Sequence, residues 1–135
     1  MTWRIDLGRT RPDVKSAVER EIDDLSPTER VTLDVRLGVI EEHGPNAGNE
    51  YPKTLSRLRG DNYRDIYETR IKYPREVRVY MCFESDERLV VLLVCSKKAG
   101  SPKGAQKRDL ERAVRRRNEW LESRGRGTKR KGSRR

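Results

Sequence analysis

The chain has 135 residues, of which 33% are hydrophobic and 40% charged, with a formal net charge of +10. Such a length bounds the protein to one domain with a modest core under a very charged surface, and the charge calls for a polyanionic partner, most simply nucleic acid, or else an acidic protein. No run is apolar enough to span a bilayer and the N-terminus lacks a signal-like apolar segment, so the expectation is a soluble, cytoplasmic protein without a membrane partner. Cys82, Cys95 and the lone His43 form neither a CxxC pair nor a disulfide framework, which argues against a zinc site and for a reduced compartment.

Trp3 to Leu7 alternates apolar and polar residues and reads as a short edge strand ended by Gly8. Pro12 opens a helical pattern through Val14, Val18, Ile22 and Leu25. Ser26-Pro27-Thr28-Glu29 is a helix start, with Ser26 as N-cap, Pro27 at the first helical position and Glu29 completing a capping box. The second helix carries Val31, Leu33, Val35, Leu37 and Ile40 as core residues and stops near Gly44-Pro45, with His43 capping its carbonyls. The two helices make a hairpin able to cover one face of a sheet. Residues 45 to 65 read as a loop in which Lys53, Arg57, Arg59 and Arg64 interleave with Tyr51, Leu55, Leu58 and Tyr63. Basic residues among aromatics suit single-stranded RNA, and a solvated charged loop has the same composition.

Residues 62 to 98 supply the main strands. Ile66 to Tyr73 and Glu76 to Phe83 flank Pro74, which suits a turn. A hairpin folded symmetrically about Pro74 sets Arg70 opposite Arg78 and Glu68 opposite Tyr80, all on one face. The other face then carries Tyr67, Thr69 and Ile71 against Val77, Val79 and Met81. Opposed arginines destabilise a strand pair, so the pair is either offset by Glu68 or serves to bind anions. Leu89 to Val94 is a continuous apolar run and reads as a central strand. In the simplest register Leu93 lies by Arg78, which carries Cys95 and Lys97 onto the arginine face and sets Lys97-Lys98 at its rim.

Ala99 to Pro102 breaks the chain, and a last helix runs from about Lys103 or Gln106 to Glu122 on a stripe of Leu110, Ala113, Val114 and Leu121. Residues 123 to 135 hold no apolar side chain and read as a basic, disordered tail, leaving 1 to 122 as the domain. The expected class is α+β: an antiparallel sheet of about four strands against an N-terminal helical hairpin, with a C-terminal helix.

Leu58-Arg59-Gly60, Tyr67-Glu68-Thr69-Arg70, Val77-Arg78-Val79-Tyr80 and Ser96-Lys97-Lys98 before Ser101-Pro102 occur in this order. Together they resemble the RelE/ParE superfamily of bacterial toxins, nearest its HigB or phage-derived Gp49-like branch, over residues 15 to 122. Thr69 stands where that branch usually has Leu, and Val77 where it has an aromatic. The resemblance implies a RelE-like fold and the toxin of a type II toxin–antitoxin pair, partnered by a helix-turn-helix antitoxin. It further implies a ribosome-dependent mRNA interferase that uses no metal or other cofactor and cuts by 2′-hydroxyl attack on the adjacent phosphate. That reaction needs a group to activate the 2′-oxygen, cations at the phosphate and an acid for the leaving oxygen. Arg70 and Arg78 suit bidentate phosphate contact. Lys97 or Lys98 matches a basic position of the relatives, Tyr80 is an acid or stacking group, and Glu68 is a base or orients Arg70. A non-catalytic, phage-related nucleic-acid-binding protein and a gyrase-directed toxin are the other readings of the same fold.

Overall fold

A computed structural model describes the backbone of residues 2–63, 65–98 and 104–132, and their side chains except at 98, 105 and 126–132. Two capping boxes start the first two helices. Helix α1 (Ala17–Asp23) begins at Ser16, whose hydroxyl accepts the Glu19 N–H while the Glu19 carboxylate accepts the Ser16 N–H. Helix α2 (Pro27–His43) repeats the arrangement with Ser26 and Glu29. Each box satisfies backbone donors that a helix start otherwise leaves open. The box at Ser16 also explains why α1 starts later than Pro12. Val14 lies outside it and is exposed.

Not every expected apolar residue of α2 is core. Leu33 and Ile40 are fully buried, but Val31 and Val35 are 63% and 65% exposed. Positions 31, 33 and 35 alternate with the period of a strand, and a helix with 3.6 residues per turn cannot turn all three inward. Gly44 ends α2 at a positive φ of 64°, and a Cβ there would meet the Trp3 indole at 2.3 Å. The expected loop beyond it contains a 3₁₀ turn (Gly44–Asn46) and a short helix α3 (Ala47–Glu50).

The strands are β1 (Arg4–Asp6), β2 (Ser56–Arg57), β3 (Tyr67–Ile71), β4 (Glu76–Glu84) and β5 (Leu89–Lys98). They form a five-stranded sheet in the order β1-β5-β4-β3-β2. β1 runs parallel to β5, and the other pairs are antiparallel. The fifth strand, β2, is only two residues long, too short to leave a period in the sequence.

One face of the sheet packs under α1 and α2. There Ile71, Val77, Val79, Met81, Val90 and Leu92 meet Val18, Ile22, Leu33 and Ile40. The opposite face packs under α4 (Ala105–Gly132), where Ile66, Tyr80, Cys82, Val91, Leu93 and Val94 meet Ala113 and Trp120. Trp120, and not the exposed Leu121, fills the stripe of α4. The expected boundary at residue 122 falls inside α4. Among the described residues no helix is long and apolar enough to cross a membrane.

Three distant elements meet at the Glu21 carboxylate. It accepts the Cys95 N–H of β5 at 2.9 Å and both terminal nitrogens of Arg116 on α4 at 3.0 and 2.9 Å. Arg116 also donates to the Leu93 carbonyl at 2.9 Å. These bonds serve backbone groups of β5 beyond the point where β1 stops pairing.

Candidate functional site

The β3–β4 hairpin turns at a cis Tyr73–Pro74 peptide bond, and its register sets Arg70 opposite Arg78 and Glu68 opposite Tyr80. Alternation of side chains puts all four on the α4 face. The two arginines are thus cross-strand partners, and each has an acidic neighbour. Arg70 Nη2 lies 3.2 Å from Glu68 Oε1, and Arg78 Nη2 lies 2.5 Å from Glu76 Oε2. The group is graded in depth. Arg70 is 38% exposed and Arg78 13%, whereas Glu68 and Tyr80 are buried.

Among the described residues, three buried polar atoms of this cluster lack a well-formed hydrogen bond: Glu68 Oε2, Arg78 Nε and Tyr80 Oη. Buried polar groups are ordinarily satisfied, so three together mark a place adapted to something other than its own packing. Burial pushes the Tyr80 hydroxyl up to about 12, with the Glu68 carboxylate adding to the effect and the adjacent Arg78 opposing it. Tyr80 therefore stays a neutral hydroxyl, able to donate and to accept, and toward the Arg78 guanidinium it is the acceptor.

The third strand corrects one expectation. Ser96, not Leu93, is the partner of Arg78, and Lys97 pairs with Val77. The β4–β5 turn sets Glu84 against Leu89, and that parity carried along the strands would bring Cys95 to Arg78. A bulge between Tyr80 and Met81 inserts Leu93, so Leu93 and Val94 both face α4 and every later residue changes sides. Cys95 joins the α1/α2 core, and Lys97 Nζ lies 3.4 Å from Asp24 Oδ2 at the end of α1. Lys97 thus lies away from the arginines. Position 98, paired with Glu76, belongs by alternation to the arginine face.

Helix α4 closes one side of the cluster, and sequence reading passed over its Asp109. Ser96 Oγ donates to Asp109 Oδ2 at 2.6 Å, and Arg112 Nη2 donates to Asp109 Oδ1 at 2.6 Å. The Asp109 carboxylate is buried. It occupies the same helical stripe as Ala113 and Trp120, and an acid on a buried stripe was the available signal.

The other expected basic residues scatter. Lys53 and Arg59 are exposed near the β2 edge. Arg57 stands opposite Tyr67, on the face away from Arg70. Arg64 lies outside the described residues, as does the side chain of Lys98. Cys82 and Cys95 are buried free thiols pushed up to about 12 by desolvation, too poorly ionised to act as nucleophiles. Among the described residues no three His, Cys, Asp or Glu side chains converge on a point.

The family described as "Phage derived protein Gp49-like (DUF891)" matches residues 20–118. The chain belongs to the Gp49-like family. A solved structure of the E. coli toxin RelE in the free state, a mutant with two arginines replaced by alanine, superposes with a TM-score of 0.57 at 18% identity. The alignment covers 86% of this chain and 98% of RelE. The fold is therefore RelE-like. No curated protein matches the chain significantly.

In this Gp49-like chain the arrangement can do two things chemically. The outer ends of Arg70 and Arg78 can clamp a phosphate between two strands. The buried Glu68 and Tyr80 can hold those guanidinium groups in place from below.

Proposed function

We propose that this protein is the toxin of a type II toxin–antitoxin pair and acts as an endoribonuclease on ribosome-bound mRNA, neutralised by a helix-turn-helix antitoxin. The observation that carries the reading is the opposed Arg70–Arg78 pair. A purely structural sheet gains nothing by setting two cations side by side, whereas a phosphodiester in transit to a more highly charged transition state is stabilised by both.

Arg70 and Arg78 hold the non-bridging oxygens of the scissile phosphate. The neighbouring ribose 2′-hydroxyl gives its proton to Glu68 or to water and attacks phosphorus, a 2′,3′-cyclic phosphate forms as the bond to the 5′-oxygen breaks, and that oxygen takes a proton from water. Among the described residues Glu68 Oε2 is an acceptor without a partner, and it sits under Arg70. Tyr80 is too deep to meet RNA in this conformation and acts by placing Arg78. Position 98, not Lys97, supplies the further cation. Residues 1 to 122 carry the activity, and the basic segment beyond adds phosphate affinity. The net charge of +10 favours encounter with ribosomal RNA.

A non-catalytic nucleic-acid-binding protein is the second reading. It is favoured by one observation, that each arginine already has a carboxylate neighbour in the free protein.

Induced expression in a bacterial host, with primer extension on translated messages, separates the two. Growth arrest with new 5′ ends inside codons is the expected result, lost in both Arg70→Ala and Arg78→Ala while folding is kept. Soluble wild-type protein without arrest, or full toxicity in both variants, overturns the reading. Arrest without cleavage points to another target such as gyrase.

A further inference from the structure

The two arginines meet their carboxylates in opposite order from the solvent. At the first pair the cation is outermost: the Arg70 side chain is 38% exposed and that of Glu68 5%. At the second the acid is outermost: the Glu76 side chain is 31% exposed and that of Arg78 13%, with Glu76 Oε2 2.5 Å from Arg78 Nη2. Glu76 stands two residues before Arg78 on β4, so alternation puts both on the α4 face. Its cross-strand partner is position 98, on the same face. An anion arriving from solvent therefore finds Arg70 open and Arg78 already engaged.

The two acids also differ in freedom. Glu68 is buried within β3 and stays under Arg70. Glu76 is the first residue of β4 and partly exposed, so a change of rotamer carries its carboxylate into water with little loss of packing. Toward a guanidinium, a carboxylate oxygen and a phosphate oxygen are the same kind of acceptor. The Glu76 carboxylate thus holds the place at Arg78 Nη2 that a phosphate oxygen would take.

We propose that Glu76 is a built-in competitor for the phosphate site, covering Arg78 in the free protein and swinging aside when a phosphodiester is seated against Arg70 and Arg78. The proposal rests on the phosphate-binding part of the function proposed above and goes beyond it to how the site is kept closed. Loose RNA gains little from Arg78, because each new contact there displaces an old one. RNA already held by other contacts, as a message on a ribosome is, opens the site at lower concentration. Glu76 touches no reacting atom and takes no part in proton transfer.

The test uses the full chain and reads affinity for a short single-stranded RNA at fixed salt. Glu76→Gln is compared with Glu42→Gln, which removes the same charge from an exposed position near the end of α2, in the layer on the other side of the sheet. Glu76→Gln is expected to tighten binding about five-fold beyond Glu42→Gln, the upper range for release of one partly exposed ion pair. The gain should vanish when Arg78→Ala is added, since no cation is left to uncover. Melting temperatures show which variants are folded, and if the double variant is not, the comparison with Glu42→Gln decides. No gain beyond Glu42→Gln, or a gain that survives Arg78→Ala, overturns the proposal. Weaker binding by Glu76→Gln also overturns it, because Glu76 would then orient Arg78 and not cover it. An Arg78-dependent gain in a protein that cleaves no message on programmed ribosomes keeps the competitor and removes the nuclease reading. Cleavage by the wild type with no effect of Glu76→Gln on affinity removes the competitor alone.

Discussion

Replacing Glu29 by Gln probes the anchor of the hairpin and has a pH signature. The Glu29 carboxylate is buried, receives both donors of Arg75 and accepts the Ser26 N–H at 2.9 Å. The Arg75 guanidinium, the first cause, and the Ser26 N–H hold it at about 2, against 4.5 for an ordinary glutamate, with desolvation opposing. A depression of that size corresponds to about 3 kcal/mol, and because Arg75 reaches into solvent we take ~2 kcal/mol as the stabilising effect at neutral pH. The folded-state value is the lower one, so the stabilisation is complete above pH 4.5 and is lost as pH falls toward 2. Glutamine can still accept the Ser26 N–H, so the helix cap survives and only the charge is removed. Urea unfolding at neutral pH should show Glu29→Gln less stable by ~2 kcal/mol, with the gap closing in acid. A gap unchanged between pH 7 and pH 3 would show that the loss is one of packing, and would refute the ion-pair account.

The register also separates two adjacent lysines. Lys97→Ala should leave growth inhibition intact because Lys97 faces Asp24, whereas Lys98→Ala should weaken it; the reverse order in a toxicity assay would overturn the bulge-shifted assignment. Asp109→Ala leaves the Ser96 hydroxyl and Arg112 without their buried acceptor, and should cost about 2–3 kcal/mol in chemical unfolding. Ending the chain after Gly125 keeps Trp120 and the Arg124 guanidinium stacked 4.7 Å over its ring, so the melting temperature should not change. A clear fall on truncation would assign the last helical turns a packing role.

The hairpin of β3 and β4 was legible because two signals agreed. Pro74 marked the turn, and alternation on both sides fixed the faces of Arg70, Glu68, Arg78 and Tyr80. The third strand was not, because an apolar run buried on both faces has no alternation to reveal an inserted Leu93, and one residue reverses everything after it. In α2 the caps at Ser26 and Glu29 were readable as local chemistry. Val31 and Val35 misled because hydrophobicity alone does not fix the helical phase. The Ser96–Asp109 bond joins a strand to a helix across a segment of no regular pattern, and pairing of that kind is decided by tertiary packing. Glu21 is the same case, a carboxylate on a short helix whose partners lie more than seventy residues away.

The edges of the sheet bear on how the protein meets other chains. Both are short strands, three residues in β1 and two in β2, while the long apolar strand lies inside. Where β1 ends, Glu21 and Arg116 occupy backbone groups of Cys95 and Leu93 that another strand would need. Side chains thus act as stoppers on an otherwise adhesive ribbon, and the like charge of the surface repels a second copy. Such a protein should stay dispersed when its concentration rises.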